Sequence, residues 1–369
     1  MEERAQVAAV KCTDYSQENL RPAMERALGL IGFFQGRIKP GMSVLVKPNL
    51  LTMRKPEDGV TTHPEFVRCV VRILKERGLI VRIGDSPSGD GRNIEKIYQT
   101  SGIKRVADEE GAELLKFDMA KEIKGIPIAK AVLDADLFIS LPKFKTHGIT
   151  ILTAGIKNVF GAVSGLSKSE LHGRFPKSEE FVHELAKIYG HCKPHLTILD
   201  GIVCMEGAGP ANGQLREANL ILASEDGVAL DSILAQSIGI DPMKLPMIKE
   251  AAAIDAGVAD PERIDLLGEE MGNIKLRGFK LPRIHLTDIL PHFFLRLLLK
   301  LVKFRIELVD DKCCRCKLCE GNCPVKAIDI DGGLKVNKQR CTLCLCCYEI
   351  CPYGAVNLKK SLLAKLLWG

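Results

Sequence analysis

The chain has 369 residues, of which 46% are hydrophobic, and carries a formal net charge of +6. This length is enough for one large domain and one small domain. The charge shows no basic stripe, which argues against nucleic acid as a partner.

The N-terminus and the cysteines together indicate the cellular compartment of the protein. Residues 1–4 include two acids and lack the cationic start and apolar core of a secretory signal. Most of the 14 cysteines fall in two runs near the C-terminus, so a reducing, cytoplasmic location is predicted. The scattered remainder are predicted to be buried free thiols, namely Cys12, Cys69, Cys192 and Cys204.

Residues 1–285 alternate apolar runs with helical patterns, which is typical of an α/β domain. One helical pattern covers 64–78, where apolar residues follow a helical period and Gly78 closes the element, and another covers 228–238. Strand, helix, strand in this order predicts a mainly parallel sheet flanked by helices. The predicted strands cover residues 44–46, 79–83, 137–141, 196–199 and 220–223.

Polar side chains follow each predicted strand. Ligands in open α/β sheets bind at the carboxyl ends of the strands, so these side chains are expected to converge on one crevice. Polar residues are also common in solvated loops, so for each of these side chains an ordinary loop position is the alternative. The candidate substrate-binding residues at strand ends are Lys47, Asn49, Asp85, Lys143 and Asp200, and Glu225 and Asp226 follow the last strand.

The segment after the third predicted strand is dense in cations and imidazoles. Lysine acts as a point charge toward carboxylates and phosphates, so the segment predicts an anionic small-molecule ligand. Lys145, His147 and His172 are the candidate catalytic residues, because histidine exchanges protons near neutral pH. Structural histidines, or a metal site at the two histidines, are the alternatives. The segment also contributes Lys157 and Asn158 as candidate substrate-binding residues, together with Lys168 and Arg174.

The loop 206–213 is rich in glycine. It lacks the Gly-Lys-Ser/Thr of a Walker loop, and no predicted helix opens on its glycines, so no nucleotide cofactor is predicted. A backbone nest that approaches an anion would use Gly207 and Gly209, whereas a mobile turn is the alternative.

Two apolar segments that carry cations flank the cysteine-rich region. Residues 286–304 are predicted to form an amphipathic linker helix, too short to cross a bilayer, which takes about 20 apolar residues. Residues 361–369 form an apolar tail that contains Trp368. Packing against protein is favoured for both. Peripheral contact with a membrane surface is the alternative, since cations beside an apolar face suit that interface.

Residues 305–360 contain one cysteine pattern twice, each time as C-x2-C-x2-C-x3-C-P. This is the run of bacterial ferredoxins, in which three thiolates hold one [4Fe-4S] cluster and the fourth holds the other. Zinc knuckles also use C-x2-C pairs and are the main alternative. The predicted ligands are Cys313, Cys316, Cys319 and Cys351 for the first cluster, and Cys341, Cys344, Cys347 and Cys323 for the second.

The repeat extends past the cysteines, because residues 327–330 correspond to 355–358 at the same offset as the ligands. Such a duplication predicts a small α+β domain of the bacterial ferredoxin type, with two equivalent halves. A hairpin is predicted over 328–336, where glycines supply the turn. Cys314 and Cys346 have no cysteine at the equivalent position and are predicted to be bystander thiols.

The order of the motifs resembles one known family. The motifs are Val-Leu-Val-Lys-Pro-Asn at 44–49, Gly-Asp-Ser-Pro at 84–87, Leu-Pro-Lys-Phe-Lys-Thr-His at 141–147, Gly-Ile-Lys-Asn at 155–158 and Gly-Ala-Gly-Pro at 207–210, followed by the cysteine runs. Together they resemble the domain-of-unknown-function 362 family of iron–sulfur proteins. The resemblance covers nearly the whole chain. It implies an α/β domain fused to a 2x[4Fe-4S] domain, mostly in anaerobic bacteria and archaea, and no particular reaction.

Two classes of function fit these patterns. The favoured one is an iron–sulfur oxidoreductase, which receives single electrons from a redox partner protein and passes them through two [4Fe-4S] clusters. The electrons would drive a reaction on an anionic small molecule bound in the α/β domain. The alternative is an electron carrier or adaptor, whose α/β domain docks a partner enzyme and performs no chemistry.

Overall fold

The structure is a computed structural model that describes residues 4–36, 38–87, 91–175, 177–282 and 304–361. The predicted linker helix up to residue 303, and the predicted tail from residue 362, lie outside the described residues. The strands are β1 Ala5–Lys11, β2 Ser43–Pro48, β3 Ile80–Gly84, β4 Glu113–Leu115, β5 Ala120–Ile123, β6 Ile126–Ala129, β7 Leu137–Leu141, β8 Lys143–His147, β9 Ile151–Thr153, β10 Leu196–Glu206, β11 Gln214–Ser224, β12 Ile264–Gly268, β13 Phe304–Leu308, β14 Ile328–Asp329, β15 Lys335–Val336 and β16 Val356–Lys360.

The helices lie between these strands and, in several cases, begin where the sequence supplies a cap. The side chain of Asp226, for example, accepts hydrogen bonds from the first backbone N–H groups of the helix that follows it. The α-helices are α1 Gln17–Leu30, α2 Pro64–Lys75, α3 Ile94–Thr100, α4 Ile103–Glu110, α5 Lys130–Leu133, α6 Gly155–Asn158, α7 Ser167–Arg174, α8 Ser178–His191, α9 Gly227–Ser237, α10 Pro246–Ala253, α11 Met271–Ile274, α12 Leu318–Gly321 and α13 Cys346–Ile350. Short 3-10 helices cover Pro56–Asp58, Val159–Ala162, Pro242–Lys244, Pro261–Arg263 and Asp310–Lys312.

The large domain is built on a ten-stranded sheet in the order β12-β1-β11-β10-β7-β2-β3-β4, with β8 beside β10 and β9 beside β8. The strands β10, β7, β2, β3 and β4 form a continuous parallel set, and β8 runs parallel to β10. The predicted mainly parallel sheet flanked by helices is therefore confirmed.

One expected strand end lies elsewhere. Strand β11 runs antiparallel to both β1 and β10, so its carboxyl end lies at the opposite edge of the sheet. Glu225 and Asp226 therefore do not join the other strand-end residues. The Asp226 carboxylate instead accepts hydrogen bonds from the N–H groups of Val228 and Ala229 at the start of α9, at 2.8 and 3.2 Å.

Apolar side chains cover both faces of the sheet. On β2, for example, Leu45 belongs to one buried cluster and Val44 and Val46 to the other, because successive side chains of a strand point to opposite faces. Helices α6, α8, α9 and α10 pack on the first face, and α1 to α4 pack on the second. With both faces covered, the carboxyl edge of the parallel strands is left for polar groups.

The four scattered cysteines lie within these packed layers. All four are buried, as predicted: Cys12, Cys69, Cys192 and Cys204. Burial raises the pKa of Cys69, Cys192 and Cys204 to about 12, so these thiols stay protonated and act as small apolar groups.

The cysteine-rich region, residues 304–361, has its own small core and two antiparallel sheets, β13 with β16 and β14 with β15. The second pair is the predicted hairpin. Positive φ angles repeat at the offset that separates Cys313 from Cys341: 56° at Arg315 and 57° at Leu343, then 61° at Lys317 and 63° at Leu345. The internal duplication is thus present in the backbone as well as in the sequence.

Candidate functional site

A cavity of about 70 Å³ lies at the carboxyl edge of the parallel strands, where the cysteine-rich region covers it. The hydroxyl of Thr52 donates to the carbonyl of Ile350 at 2.9 Å and helps to hold the two parts together. Nine of the residues named from the sequence line the cavity: Lys47, Asn49, Asp85, Lys145, His147, Lys157, Asn158, Lys168 and His172. Three residues of the cysteine-rich region complete the wall: Asn322, Cys346 and Glu349.

A buried ion pair forms one side of the cavity. The Nζ of Lys47 lies 2.8 Å from Oδ1 of Asp85, and both side chains are almost fully buried. The other oxygen of Asp85 accepts the backbone N–H of Leu50 at 2.7 Å. Burial lowers the pKa of Lys47, and the nearby carboxylate acts in the opposite direction. A Cβ added at Gly161 would lie 2.1 Å from the Asp85 oxygen and 2.5 Å from Nζ, so this pair requires glycine there.

Two further lysines have pKa values near neutrality. Burial lowers the pKa of Lys145 to about 7, with repulsion from Lys157 acting in the same direction. Burial also lowers the pKa of Lys168 to about 7, although Asp85 opposes the shift. The Nζ of Lys145 donates to the carbonyl of Val60 at 2.6 Å. Both side chains can therefore gain or lose a proton when the charge inside the cavity changes.

Among the four lysines that line the cavity, Lys157 has the fewest described partners. Its Nζ makes no hydrogen bond or close ion pair with any described residue and lies 5.1 Å from the centre of the Phe160 ring. Helix α6, which carries it, is held by Asp231, whose oxygens accept the N–H groups of Gly155 and Ile156 at 2.7 and 3.0 Å. Burial raises the pKa of Asp231 to about 7.

His147 faces the cavity as a neutral hydrogen-bond donor. Its Nδ1 accepts the backbone N–H groups of Ile149 and Thr150 at 3.1 and 3.3 Å, so the proton belongs on Nε2. Nε2 lies 3.2 Å from Oε1 of Glu349, at ion-pair distance but off the line of a good hydrogen bond. Burial lowers the pKa of His147. Burial opposes ionisation of Glu349, but the contact with His147 and attraction to Lys157 outweigh it and lower the pKa of Glu349 to about 2.

His172 lines the same cavity through packing. Its ring stacks on Phe181 with centroids 3.9 Å apart and meets the edge of Phe160 at 6.1 Å. Burial lowers the pKa of His172 to about 3, so the ring is neutral over the physiological range. These contacts are those of a histidine that packs in the core, which was the alternative to a catalytic role. A catalytic role for His172 stays a prediction.

Two of the predicted residues form a separate buried cluster. The Nζ of Lys143 lies 2.9 Å from Oδ2 of Asp200 and donates to the hydroxyl of Tyr15 at 2.7 Å. That hydroxyl donates in turn to Oδ1 of Asp200 at 2.8 Å, and the Tyr15 ring stacks on His63. Each polar atom named here has a partner, so the cluster braces the sheet beside the cavity.

The glycine-rich loop borders a second and larger pocket. Gly207 and Gly209 line that pocket, which reaches about 1070 Å³ and shares Pro210 and Glu349 with the cavity. A Cβ added at Gly209 would lie 2.2 Å from the carbonyl oxygen of Thr146, so the loop packs directly on β8. This close approach requires glycine at position 209, and anion binding by the loop stays a prediction.

The two predicted cysteine sets line two separate spaces, each with about 330 Å³ free of protein atoms when the opening to solvent is included. Cys313, Cys316, Cys319 and Cys351 line one, and Cys323, Cys341, Cys344 and Cys347 line the other. The fourth cysteine of each run thus lies beside the first three cysteines of the other run.

Backbone groups near these sulfurs also suit an anionic cluster. The N–H of Ala327 donates to the sulfur of Cys323 at 3.1 Å, and the N–H of Ala355 donates to that of Cys351 at 3.3 Å. The repeated positive φ angles are those of backbone nests that bind anions and iron–sulfur sites. Among the described residues, no group of three or more His, Cys, Asp or Glu side chains converges on a single metal ion. The four thiols around each space and the N–H groups directed at their sulfurs fit an anionic cluster.

Residues 44–236 match the family described as Domain of unknown function (DUF362). The chain belongs to the DUF362 family. It is 30% identical over 308 residues to the thylakoid-associated protein sll1697 of Synechocystis sp., which corresponds to 79% of this chain and 95% of that protein. It is also 38% identical over 56 residues to the pyruvate synthase subunit PorD of Methanocaldococcus jannaschii, 15% of this chain and 65% of that subunit.

Among solved structures, the DUF362 protein resembles the lactate racemase apoprotein of Thermoanaerobacterium thermosaccharolyticum with a TM-score of 0.39 and 11% identity. That likeness covers 63% of this chain and 56% of the racemase chain. A protein of Thermotoga maritima gives a TM-score of 0.36 and 13% identity over 67% of this chain and 60% of that one. Within the ranges that the structure describes, no helix has the length and apolarity needed to span a membrane.

Sequence reasoning missed the contribution of the cysteine-rich region to the DUF362 cavity. The sequence does contain one signal of this contribution, namely positions at which the two halves of the repeat differ in polarity. Glu349 corresponds to Gly321 in the first half, and Asn322 corresponds to Ile350 in the second. Cys346, predicted to be a bystander, lines both the cavity and the second cysteine pocket. Polar residues that break an internal symmetry mark the face that docks on the larger domain.

Proposed function

We propose that the protein is an iron–sulfur redox protein in which two [4Fe-4S] clusters pass single electrons to a small anion held in the cavity between its two parts. The two cysteine sets would hold the clusters: Cys313, Cys316, Cys319 and Cys351 the first, and Cys341, Cys344, Cys347 and Cys323 the second. The sequence similarity to PorD, a subunit of a pyruvate synthase, supports a role in electron transfer.

The observation that carries the proposal is the shared wall of the cavity. Lysines at strand ends form one side, and Asn322, Cys346 and Glu349 form the other. Asn322 precedes the ligand candidate Cys323 in the chain, and Cys346 also lines the second cysteine pocket. A ligand in the cavity would therefore lie close to the second cluster, and a short distance between cluster and ligand favours electron transfer.

The charges of the cavity favour an anion. Four lysines, Lys47, Lys145, Lys157 and Lys168, face two carboxylates, Asp85 and Glu349, which leaves a surplus of two positive charges when all are ionised. Buried charge without a partner is unfavourable, so a ligand of opposite charge gains affinity here. Such a ligand would also raise the lowered pKa values of the lysines toward their usual range.

The clusters, when bound, supply transfer of one electron at a time. The residues of the chain hold the anion, exclude water and position one proton. Nδ1 of His147 is occupied by two backbone donors, so Nε2–H is the proton directed at the cavity. A group that is fixed in one tautomer and buried beside the ligand can donate a hydrogen bond without rearrangement.

The proposal is tested with full-length protein prepared anaerobically. We expect about eight irons per chain, with matching sulfide, from two four-iron clusters. About four irons, or zinc alone, would contradict the cofactor assignment. The reduced protein is then mixed with a panel of small anions, and reoxidation is followed by absorbance.

Two variants separate enzyme from carrier. Lys157→Ala should abolish reoxidation by the anion and leave the iron content unchanged, because this lysine lines the cavity and contacts no cysteine ligand. Lys249→Ala, at an exposed lysine on α10, is the matched control and should behave as the parent protein. If no anion reoxidises the reduced clusters while a redox protein does so equally well with both variants, the protein is an electron carrier and the proposal is wrong.

A further inference from the structure

Unsatisfied oxygen atoms in the cavity limit the class of ligand, an inference that rests on the function proposed above. Buried polar atoms in folded proteins nearly always have a hydrogen-bond partner, so a group of exceptions in one place requires an explanation. Within the described part of the chain, four buried side-chain oxygens on the cavity wall lack one: Asn49 Oδ1, Thr153 Oγ1, Asn322 Oδ1 and Glu349 Oε1.

Neighbouring contacts set the orientation of the two amides. The Nδ2 of Asn49 donates to Oδ1 of Asn158 at 3.1 Å, and the Nδ2 of Asn158 donates to the hydroxyl of Ser140 at 2.9 Å. The Nδ2 of Asn322 donates to the carbonyl of Leu318 at 2.9 Å. Each amide nitrogen is therefore occupied, and each amide offers an acceptor oxygen to the cavity.

A ligand composed only of negatively charged oxygens would not satisfy these atoms. Sulfate or a simple carboxylate can accept from the lysines, but its oxygens carry no proton and would repel the acceptors Asn49 Oδ1, Asn322 Oδ1 and Glu349 Oε1. The complementary ligand needs negative charge for the cations and at least one N–H or O–H donor for the acceptors. Two of the three acceptors lie on the cysteine-rich region, whereas the four lysines all lie on the DUF362 domain.

The cavity is also small. Its volume of about 70 Å³ accommodates about five water-sized groups, since one water needs about 10–15 Å³ by this kind of measure. A nucleotide, a coenzyme A ester or a peptide does not fit. A carboxylic acid of two or three carbons does.

We infer that the ligand is a small monocarboxylate with a hydroxyl or amino donor close to the carboxylate. The carboxylate is held by the lysines of the DUF362 domain, and the donor is held by Glu349 and Asn322 of the cysteine-rich region. A ligand of this kind bridges the two parts and brings the carbon that bears the donor toward the side of the second cysteine set.

Calorimetric titration of the anaerobically reconstituted full chain tests the inference, with acetate, glycolate, glycine and sulfate as probes. Glycolate should bind at least ten times more tightly than acetate if the donor is a hydroxyl, because acetate has the same charge and nearly the same size but no donor. Glycine should do so if the donor is an ammonium group, although as a zwitterion it has no net charge. Equal affinity for acetate and both donor-bearing acids would overturn the inference, and so would a preference for sulfate, which has no donor.

Thr153→Val provides a test at the fourth unpaired oxygen of the cavity wall, because it replaces the hydroxyl by a methyl group of similar size. It should reduce the preference for the donor-bearing acid over acetate by threefold or more. Thr197→Val is the matched control, since Thr197 Oγ1 is also buried without a partner but lies outside the cavity. An equal loss in both variants would contradict the inference. Binding of acetate and sulfate alone would contradict the inference and leave the proposed anion site intact, whereas the proposed function is tested separately by iron content and by reoxidation with the wider panel of anions.

Discussion

The imidazole of His147 and the carboxylate of Glu349 meet where the DUF362 domain contacts the cysteine-rich region, with Nε2 and Oε1 3.2 Å apart. Replacement of Glu349 by alanine would remove the carboxylate beside this buried ring and leave the buried cation Lys157 without the attraction of that carboxylate. We expect Glu349→Ala to lower the free energy of unfolding by about 1–3 kcal/mol, the usual cost of a buried polar group without a partner. Chemical denaturation of the reconstituted protein measures this change.

Glu307→Ala is the matched control for that prediction. Glu307 belongs to the same region but forms a half-exposed ion pair with Lys359. Exposed pairs contribute little, so this variant should change the free energy of unfolding by about 0.5 kcal/mol or less. Equal destabilisation by the two variants would show that Glu349 does not connect the two parts.

The affinity for anions should fall as the pH rises through 7. Burial lowers the pKa of both Lys145 and Lys168 to about 7, so both are mostly charged at pH 6 and mostly neutral at pH 8. Binding of an anion favours the protonated lysines and is therefore coupled to proton uptake. We expect the dissociation constant to increase by about tenfold or more between pH 6 and pH 8. Titration calorimetry in buffers of different ionisation enthalpy measures both quantities.

Lys168→Met should flatten this pH dependence, since one of the two titrating groups is gone. Lys249→Met, on the exposed face of α10, should keep the full slope. His172 does not contribute in this range because its pKa is lowered to about 3. An affinity that is constant or that rises between pH 6 and pH 8 would contradict the assignment of these lysines to the binding site.

Asp231 should make a pH-dependent contribution to stability. Burial raises its pKa from the model-compound value of 3.8 to about 7 in the folded protein. The folded state then binds the proton more tightly than the unfolded state, so this contribution is complete below about pH 4 and is lost as the pH rises to about 7. The difference in unfolding free energy between the parent protein and Asp231→Ala should therefore decrease between pH 4 and pH 7.

The same substitution removes the acceptor for two N–H groups at the start of α6. A total loss of about 2–4 kcal/mol is expected at pH 5, from two buried hydrogen bonds and a small cavity. Anion affinity should fall as well, because α6 carries Lys157 and Asn158. A difference that grows between pH 4 and pH 7 would show that another group determines the pH dependence.

Much of the cavity could be predicted because it follows from strand periodicity. The carboxyl ends of β2, β3 and β8 lie at one edge of a parallel sheet, and this places Lys47, Asp85 and His147 together. The same reasoning wrongly places Lys143 in the cavity. It lies on the same strand as Lys145, but the pairing of β8 with β10 shifts register between Asp200 and Met205.

Neither the register shift nor the docking of the cysteine-rich region is encoded in a local pattern. Lys143 pairs with Asp200 beside the shift, while Lys145 continues to the cavity. Glu349 reaches His147 only through contacts between elements far apart in the chain. Local propensity and periodicity do not contain such information, because it depends on the shapes of two folded surfaces.

Gly161 should not tolerate a side chain. A Cβ at this position would overlap with both members of the ion pair between Lys47 and Asp85. We expect Gly161→Ala to lower the free energy of unfolding by about 1–3 kcal/mol through overpacking, and to weaken anion binding as well. Gly29→Ala is the control, because no atom lies within 4 Å of the added Cβ in helix α1. That variant should be more stable by about 0.5–1 kcal/mol.

Single cysteine variants should separate the two proposed clusters. Cys323→Ser removes one candidate ligand of the set that also contains Cys341, Cys344 and Cys347. If each set holds its own four-iron cluster, the variant should retain about four irons and the magnetic signal of one cluster. The cluster beside the cavity would be the one lost, so reoxidation by a bound anion should stop while reduction of the remaining cluster persists.

Cys314→Ser is the control, because Cys314 is exposed and has no cysteine at the equivalent position of the other half. It should keep about eight irons.

Cys351→Ser, in the first set, should remove the other cluster and leave the one beside the cavity. Electron paramagnetic resonance of the reduced proteins distinguishes these cases, since two clusters in one small domain broaden each other's signals and a single cluster does not. Loss of all iron in Cys323→Ser with normal folding would show that the two sets do not assemble independently. Full retention would show that the fourth ligand comes from elsewhere.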